Sequence, residues 1–186
     1  MIHTERLDLV PLPLEFLRAT RAGDRARAAE ALGFGLGPEW RIPDPVLDLR
    51  IPQLEREPSL SEWLLRGMIL RSERRMVGHV GFHSRPAPDY LAPWCPDGVE
   101  LGYTVFGAER RRGFAREAAE GLMAWAARAH GVRSFVVSVS PKNLPSVALA
   151  ARMGFVRVGS EPDPLDGPED ILVLDWPRPS PPANEH

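Results

Sequence analysis

Apolar and polar residues alternate in several short segments of the chain, and this period of two predicts β-strands. In the opening segment, Leu7 and Leu9 lie on one side of the predicted strand and Asp8 lies on the other. The clearest strand covers residues 99–106, where an apolar side chain stands at every second position. Further strands are predicted at residues 63–70, 75–83, 134–139, 155–158 and 171–175.

Other segments repeat apolar residues every three or four positions, which is the period of an amphipathic helix. The strongest covers residues 114–130 and another covers 144–153, and each is followed by a glycine that can end a helix. Residues 13–33 predict one or two further helices, and a short helix around 46–54 is expected to be interrupted by Pro52. Strands followed by alternating helices and strands predict a mixed α/β (α+β) layer.

Length and composition predict one globular domain over residues 1–176. The 186 residues are 44% hydrophobic and 26% charged, and the proline-rich segment 177–186 is expected to form a disordered tail. The formal net charge of −2 provides no basic field for nucleic acid or an acidic membrane. The single cysteine, Cys95, allows no internal disulfide. Since there is neither a signal peptide nor an apolar run of roughly 20 residues, we expect a cytoplasmic protein.

The segment 110–118 joins the clearest strand to the strongest helix and contains a basic turn with one glycine. A helix N-terminus presents free N–H groups and the positive end of the helix dipole. Gly113 would let the backbone approach a phosphate closely, and Ala115 keeps the first helical turn small. The same residues also fit a solvated basic turn, and an arginine triplet alone could contact nucleic acid. The acidic balance of the chain argues against the nucleic-acid alternative.

Five short motifs follow one another along the chain. They are Thr4-Glu5-Arg6-Leu7, Val99-Glu100-Leu101-Gly102-Tyr103, Arg110-x-x-Gly113-x-Ala115, Pro141-Lys142-Asn143-x-x-Ser146 and Met153-Gly154-Phe155. In this order and spacing they resemble the motifs of the GNAT superfamily of acetyltransferases. The first, second, fourth and fifth are similar to those of the subgroup that contains the ribosomal-protein alanine N-acetyltransferases. The resemblance covers roughly residues 2–175.

The resemblance implies a strongly twisted mixed sheet that is flanked by helices and splayed between its fourth and fifth strands. It also implies that acetyl-CoA is the cosubstrate and lies in the resulting gap. The pantetheine arm is then expected along Val105 and Phe106, like an added strand. The pyrophosphate is expected on Arg110, Arg111, Arg112, Gly113, Phe114, Ala115 and Arg116.

The implied reaction is direct attack of an amine on the thioester, which needs a base, oxyanion donors and an acid. Glu100 is the candidate base, because a carboxylate on a central strand should face a cleft, and its pKa is expected to be raised. Ser146 is the candidate acid or thiol hydrogen-bond donor, because Ala150 stands where many family members have a tyrosine. Asn143 is expected to bind the cofactor and also fits a plain N-cap. The structural alternatives are an edge-exposed or salt-bridged Glu100 and a Ser146 that only bonds the backbone.

No motif in the sequence specifies the acceptor amine. In the family, the loop between the last two strands borders the acceptor, and here residues 160–170 are acidic. Such a loop would favour a cationic amine (a protein N-terminus, a polyamine or an aminoglycoside-like compound), although it also fits a solvated loop. We expect no metal site, and the family resemblance is compatible with a homodimer. The alternative function is a catalytically silent acetyl-CoA-binding module that acts through protein partners.

Overall fold

A computed structural model describes residues 1–163 and 167–176 and contains the predicted strands and helices in the predicted order, together with two short strands that were not predicted. The strands are β1 (Ile2–His3), β2 (Leu7–Pro11), β3 (Gly35–Leu36), β4 (Arg66–Leu70), β5 (Arg75–Phe82), β6 (Val99–Val105), β7 (Ser134–Val139), β8 (Val156–Asp163) and β9 (Gly167–Asp175). The helices are α1 (Leu14–Arg21), α2 (Arg25–Leu32), α3 (Asp44–Arg56), α4 (Phe114–His130) and α5 (Leu144–Met153). The predicted mixed α/β class is confirmed.

Two further expectations concern the membrane and the end of the chain. The helices in the described residues include none that is long and apolar enough to cross a membrane. The predicted tail, residues 177–186, lies outside the described residues.

The chain divides into two compact units, of which the first comprises Met1–Arg85 and Leu101–Trp125. Its strands are ordered β1-β2-β4-β5-β6 with antiparallel neighbours, and β3 pairs with β5 in parallel. Helix α1 packs against both α2 and α3. The buried core of this unit includes Phe16, Leu17, Leu47 and Ile69. The sequence did not predict β1 and β3, because strands of two residues carry no readable period.

Helix α3 continues through Pro52, so the predicted interruption at that residue is wrong. Leu47 and Leu54 are buried on either side of the proline and hold the inner face of the helix against the core. Pro52 has no N–H to donate, so one carbonyl group in the preceding turn lacks its helical hydrogen bond. Because Pro52 is exposed, water can bond that carbonyl group instead. Tertiary burial therefore maintains a helix that local propensity alone would end.

The second unit comprises Pro86–Glu100 and the described part of Ala126–His186. Its strands are ordered β6-β7-β9-β8, with β6 and β7 parallel and the other neighbours antiparallel. The ladder between β6 and β7 consists of two residue pairs, Val99 with Phe135 and Glu100 with Val136. The splay expected between the fourth and fifth strands of the family stays a prediction. The single domain over residues 1–176 stays a prediction.

Three strands differ from the predicted ones by more than one residue at an end. Strand β4 begins at Arg66 rather than at residue 63, because Pro58–Glu62 form a 3-10 turn that is extended by a hydrogen bond from Trp63 N to Leu60 O. Strands β8 and β9 extend beyond the predicted 155–158 and 171–175 and form a hairpin. Most of the segment that was expected as an acidic loop is therefore strand.

Candidate active site

Strand β6 turns one side of its backbone away from β5 in the first unit. Phe106 N donates to Val77 O at 3.0 Å, and the β5–β6 ladder has no shift in register. Because hydrogen-bonded and non-hydrogen-bonded pairs alternate in an antiparallel ladder, Tyr103 and Val105 turn their backbone groups away from β5. The Arg110 Nε group donates to Val105 O at 3.1 Å, so part of this edge is already engaged by the following loop.

The loop that leads from β6 into α4 contains two residues with a left-handed backbone. A 3-10 turn over Gly107–Glu109 is followed by Arg111 at φ 61° and Gly113 at φ 85°. The first helical hydrogen bond of α4 runs from Glu117 N to Gly113 O at 3.1 Å. The four preceding N–H groups, those of residues 113–116, thus have no helical acceptor. Left-handed residues beside a helix N-terminus form the kind of concave set of N–H groups that binds anions.

The arginine side chains of this loop are largely bound within the protein. Arg112 forms an ion pair with Glu109, and its guanidinium lies 4.8 Å from the centre of the Phe114 ring. Arg116 pairs with Glu120 at 3.0 Å, one helical turn further on. The backbone N–H groups, rather than a cluster of free guanidinium groups, therefore carry most of the expected anion-binding character.

Glu109 holds the start of the loop in place through two ion pairs. Its side chain is buried and bonds Arg75 at 2.8 Å in addition to Arg112. Burial acts to raise the pKa of Glu109, but the hydrogen bonds and positive charges of Arg75 and Arg112 outweigh it and lower the pKa. Glu109 is therefore an ionised structural group, and the sequence pattern gave no reason to single it out.

Two further residues that the sequence analysis missed touch this loop. The Glu39 carboxylate accepts a hydrogen bond from Gly107 N. Arg6 donates to Arg112 O at 2.9 Å and pairs with Glu117 at 2.7 Å. Arg6 belongs to a quoted motif, but no local pattern shows that this segment lies against the start of α4.

Glu100 and the α5 turn lie in the second unit. Glu100 is only 6% exposed and occupies the last pair of the β6–β7 ladder, opposite Val136. Asn143 Oδ1 accepts a hydrogen bond from Ser146 N at 3.3 Å. Asn143 is therefore the N-cap of α5, which is one of the two roles that the sequence allowed. Ser146 is half-buried in the first turn of this helix. Ala150, at the position where many family members have a tyrosine, is buried.

Residues 160–163 and 167–170 of the acidic segment lie on strands β8 and β9, and part of their charge is neutralised. Trp94 Nε1 donates to Glu161 at 2.6 Å, and Arg157 pairs with Asp170 at 2.7 Å. Glu161 and Glu169 stand directly opposite each other in the β8–β9 ladder, which concentrates negative charge there. The structure thus places one group of predicted residues, from Val105 to Arg116, on one strand, loop and helix start, and Glu100, Asn143 and Ser146 in the second unit.

Comparison with known proteins identifies the family. The profile of the family described as "Acetyltransferase (GNAT) domain" matches residues 22–156, more than half of the chain. The N-acetyltransferase YjdG of Bacillus subtilis (strain 168), itself uncharacterized, is 23% identical over 161 residues, which are 84% of this chain and 89% of the relative.

Two solved structures share the fold. The ribosomal-protein-S5-alanine acetyltransferase of Vibrio fischeri has a TM-score of 0.61 at 15% identity and covers 94% of each chain. The microcin C7 self-immunity acetyltransferase MccE, solved with acetyl-CoA and AMP, has a TM-score of 0.61 at 15% identity and covers 92% of this chain and 93% of its own. Together with the matching profile, the strand–loop–helix geometry confirms the resemblance seen in the motifs: the chain belongs to the GNAT family of acetyltransferases.

Proposed function

We propose that this protein transfers the acetyl group of acetyl-CoA to a primary amine by direct attack of the amine on the thioester. The observation that carries the proposal is the backbone of the loop before α4. Arg111 and Gly113 are both left-handed there, and the N–H groups of residues 113–116 precede the first helical hydrogen bond. A diphosphate is the anion that such a set of amides and the α4 dipole would bind.

The edge of β6 supports the same cosubstrate. The outward backbone groups of Tyr103 and Val105 are spaced like one side of an antiparallel ladder. The amides of a pantetheine arm can pair with such an edge as an added strand would. Phe106 ends the strand where the loop begins. Its N–H group is bonded to Val77 O and therefore does not pair with the pantetheine arm.

Glu100 is the proposed base for the amine proton. Its burial on β6 gives a carboxylate that little bulk water can reach, and the transfer can pass through one bound water. Ser146 is proposed to donate a hydrogen bond to the departing thiolate, since its side chain is not needed for the cap that its own N–H makes with Asn143. A serine is a weak acid, so its role is to polarise the sulfur rather than to protonate it fully.

The proposed acceptor is a cationic amine, with a protein N-terminus as the first candidate. Support comes from the negative charge of Glu161 and Glu169, which oppose each other on β8 and β9. A relative of the same fold is named for acetylating a ribosomal-protein alanine. Ammonium groups are attracted to such carboxylates before the base removes the proton.

The test is calorimetric binding of acetyl-CoA to the wild type and to Gly113→Asp. An added Cβ on Gly113 would lie 3.2 Å from the NH2 group of Arg6, at the start of the segment that carries the amides of residues 113–116. We expect the new carboxylate to abolish binding by repelling the diphosphate. Gly33→Asp is the matched control, because Gly33 is also left-handed, at φ 76°, and has no other group within 4 Å of an added Cβ. Binding retained by Gly113→Asp, or lost equally in both variants, would contradict the proposed site.

An amine screen on the wild type then separates the enzyme from a silent module. If the wild type acetylates a peptide N-terminus, a polyamine or an aminoglycoside and Glu100→Gln does not, acetyl transfer is established. Tight acetyl-CoA binding with no turnover of any tested amine would favour the module that acts through partners.

A further inference from the structure

We propose that Arg6 is a positioning residue for the diphosphate loop, acting through Glu117 and the Arg112 carbonyl group. The proposal rests on the proposed acetyl-CoA site. It concerns how the N–H groups of residues 113–116 are held in place, and it assigns that task to a residue near the start of the chain.

Arg6 and Glu117 form a two-pronged ion pair, although they are far apart in sequence. Arg6 Nε donates to Glu117 Oε2 at 2.7 Å, and the guanidinium NH2 group lies 2.7 Å from the same oxygen. Oε1 of Glu117 accepts from Arg6 N and from the Thr4 hydroxyl, each at 2.6 Å. The side chain of Glu117 is only 12% exposed. One carboxylate thus fixes the segment around Arg6 to the first turn of α4.

The same guanidinium also contacts the loop directly. Arg6 NH1 donates to Arg112 O at 2.9 Å, and the guanidinium carbon lies 4.7 Å from the centre of the Phe114 ring. An added Cβ on Gly113 would stand 3.2 Å from the NH2 group of Arg6. Arg6 therefore contacts residues 112 and 114 and lies beside Gly113. By holding the Arg112 carbonyl group toward itself, Arg6 fixes the peptide whose N–H belongs to Gly113.

Charge explains why the pair is needed rather than the glutamate alone. Burial acts to raise the pKa of Glu117, but hydrogen bonds from Thr4 and Arg6 and the positive charge of Arg6 lower it, so the group is ionised. An unpaired carboxylate in the first turn of α4 would repel a diphosphate bound to the neighbouring amides. Arg6 neutralises this charge while it orients the loop.

Arg71 provides a matched control, because it follows β4 and contacts the same opening segment as Arg6. Arg71 donates to Thr4 O at 2.8 Å and pairs with Asp8 at 3.0 Å, so it also holds the opening segment. None of the hydrogen bonds and ion pairs described for Arg71 reaches residues 110–117. Arg71→Met should loosen the segment without releasing the loop, whereas Arg6→Met should do both.

The experiment measures the dissociation constants of CoA and of pantetheine, which lacks the diphosphate, for the wild type, Arg6→Met, Arg6→Lys and Arg71→Met. We expect Arg6→Met to weaken CoA binding by about tenfold or more, since it removes charge-assisted hydrogen bonds. Pantetheine binding should stay within about twofold because its contacts lie on β6. Arg6→Lys should restore little, because an ammonium cannot span Glu117 and the Arg112 carbonyl group together.

A double variant provides a readout that a purely structural role would not give. Adding Glu117→Gln to Arg6→Met removes the unpaired carboxylate, so CoA affinity should recover in part even though one more native contact is lost. Urea unfolding of each variant checks that the fold is retained.

The outcomes separate the two proposals. If the wild type binds no CoA, the proposed function fails and the role of Arg6 fails with it. If the wild type binds CoA and Arg6→Met binds it equally well, only the positioning role is overturned. Equal losses in Arg6→Met and Arg71→Met, equal losses for CoA and pantetheine, or full rescue by Arg6→Lys would each overturn it too.

Discussion

Between pH 6.5 and about pH 4, the stability of this protein should depend on pH because of His79. His79 lies on β5 between Gly67 of β4 and Thr104 of β6 and is only 6% exposed. Its Nε2 atom has no hydrogen-bond partner among the described residues. Burial alone lowers the pKa of His79 from 6.5 to about 4. The imidazole is therefore neutral in the folded protein over most of the range in which the unfolded chain takes up a proton.

The sign and the size of the effect follow from this difference. The unfolded state binds more protons than the folded state between pH 6.5 and about 4, so stability is complete above this window and falls as the pH drops through it. With one pKa unit worth about 1.4 kcal/mol, the loss reaches about 2 kcal/mol at pH 5 and about 3 kcal/mol at the lower end.

The assay is urea unfolding of the wild type and of His79→Leu at pH 7.5, 6.5, 5.5 and 5.0. Leucine has a similar volume and cannot titrate, and both proteins share the carboxylates, so the difference between their free energies of unfolding isolates His79. We expect the variant to gain about 2 kcal/mol over the wild type between pH 7.5 and 5.0. A difference that stays constant over this range would refute the inference that His79 is buried and neutral.

Three further predictions concern the proposed base Glu100, a helix cap and a close approach of two segments. Glu100→Gln should lower the rate of acetyl transfer by about 10²–10⁴-fold and leave acetyl-CoA affinity unchanged in calorimetry; equal turnover by both proteins would exclude Glu100 as the base. Asn143→Ala should lower the free energy of unfolding by about 0.5–2 kcal/mol in urea, because Ser146 N loses its acceptor, and Asn143→Asp should keep most of it. Gly159→Ala places a Cβ 2.0 Å from the Trp94 ring and should destabilise the protein by about 1–3 kcal/mol; an unchanged urea midpoint would contradict this packing.

The sequence by itself determined the parts of the protein whose physics is local. Alternation in residues 99–106 and the helical period of 114–130 are set by neighbours a few positions apart, and β6 and α4 lie where those patterns predict them. The left-handed conformation at Gly113 is likewise a property that one residue type favours. These elements carried the motif that identified the family, so the family could be read without a structure.

Only the tertiary structure decided what depends on residues far apart in sequence. Local propensity predicted a break at Pro52, but the burial of Leu47 and Leu54 in the core keeps α3 continuous. The arginines of the loop looked like free phosphate ligands, whereas the fold pairs Arg112 with Glu109. The contact of Arg6 with Glu117 and the burial of His79 arise from the packing of separate segments. A local pattern cannot encode which distant segment will lie against it, because that depends on the summed burial of the whole unit.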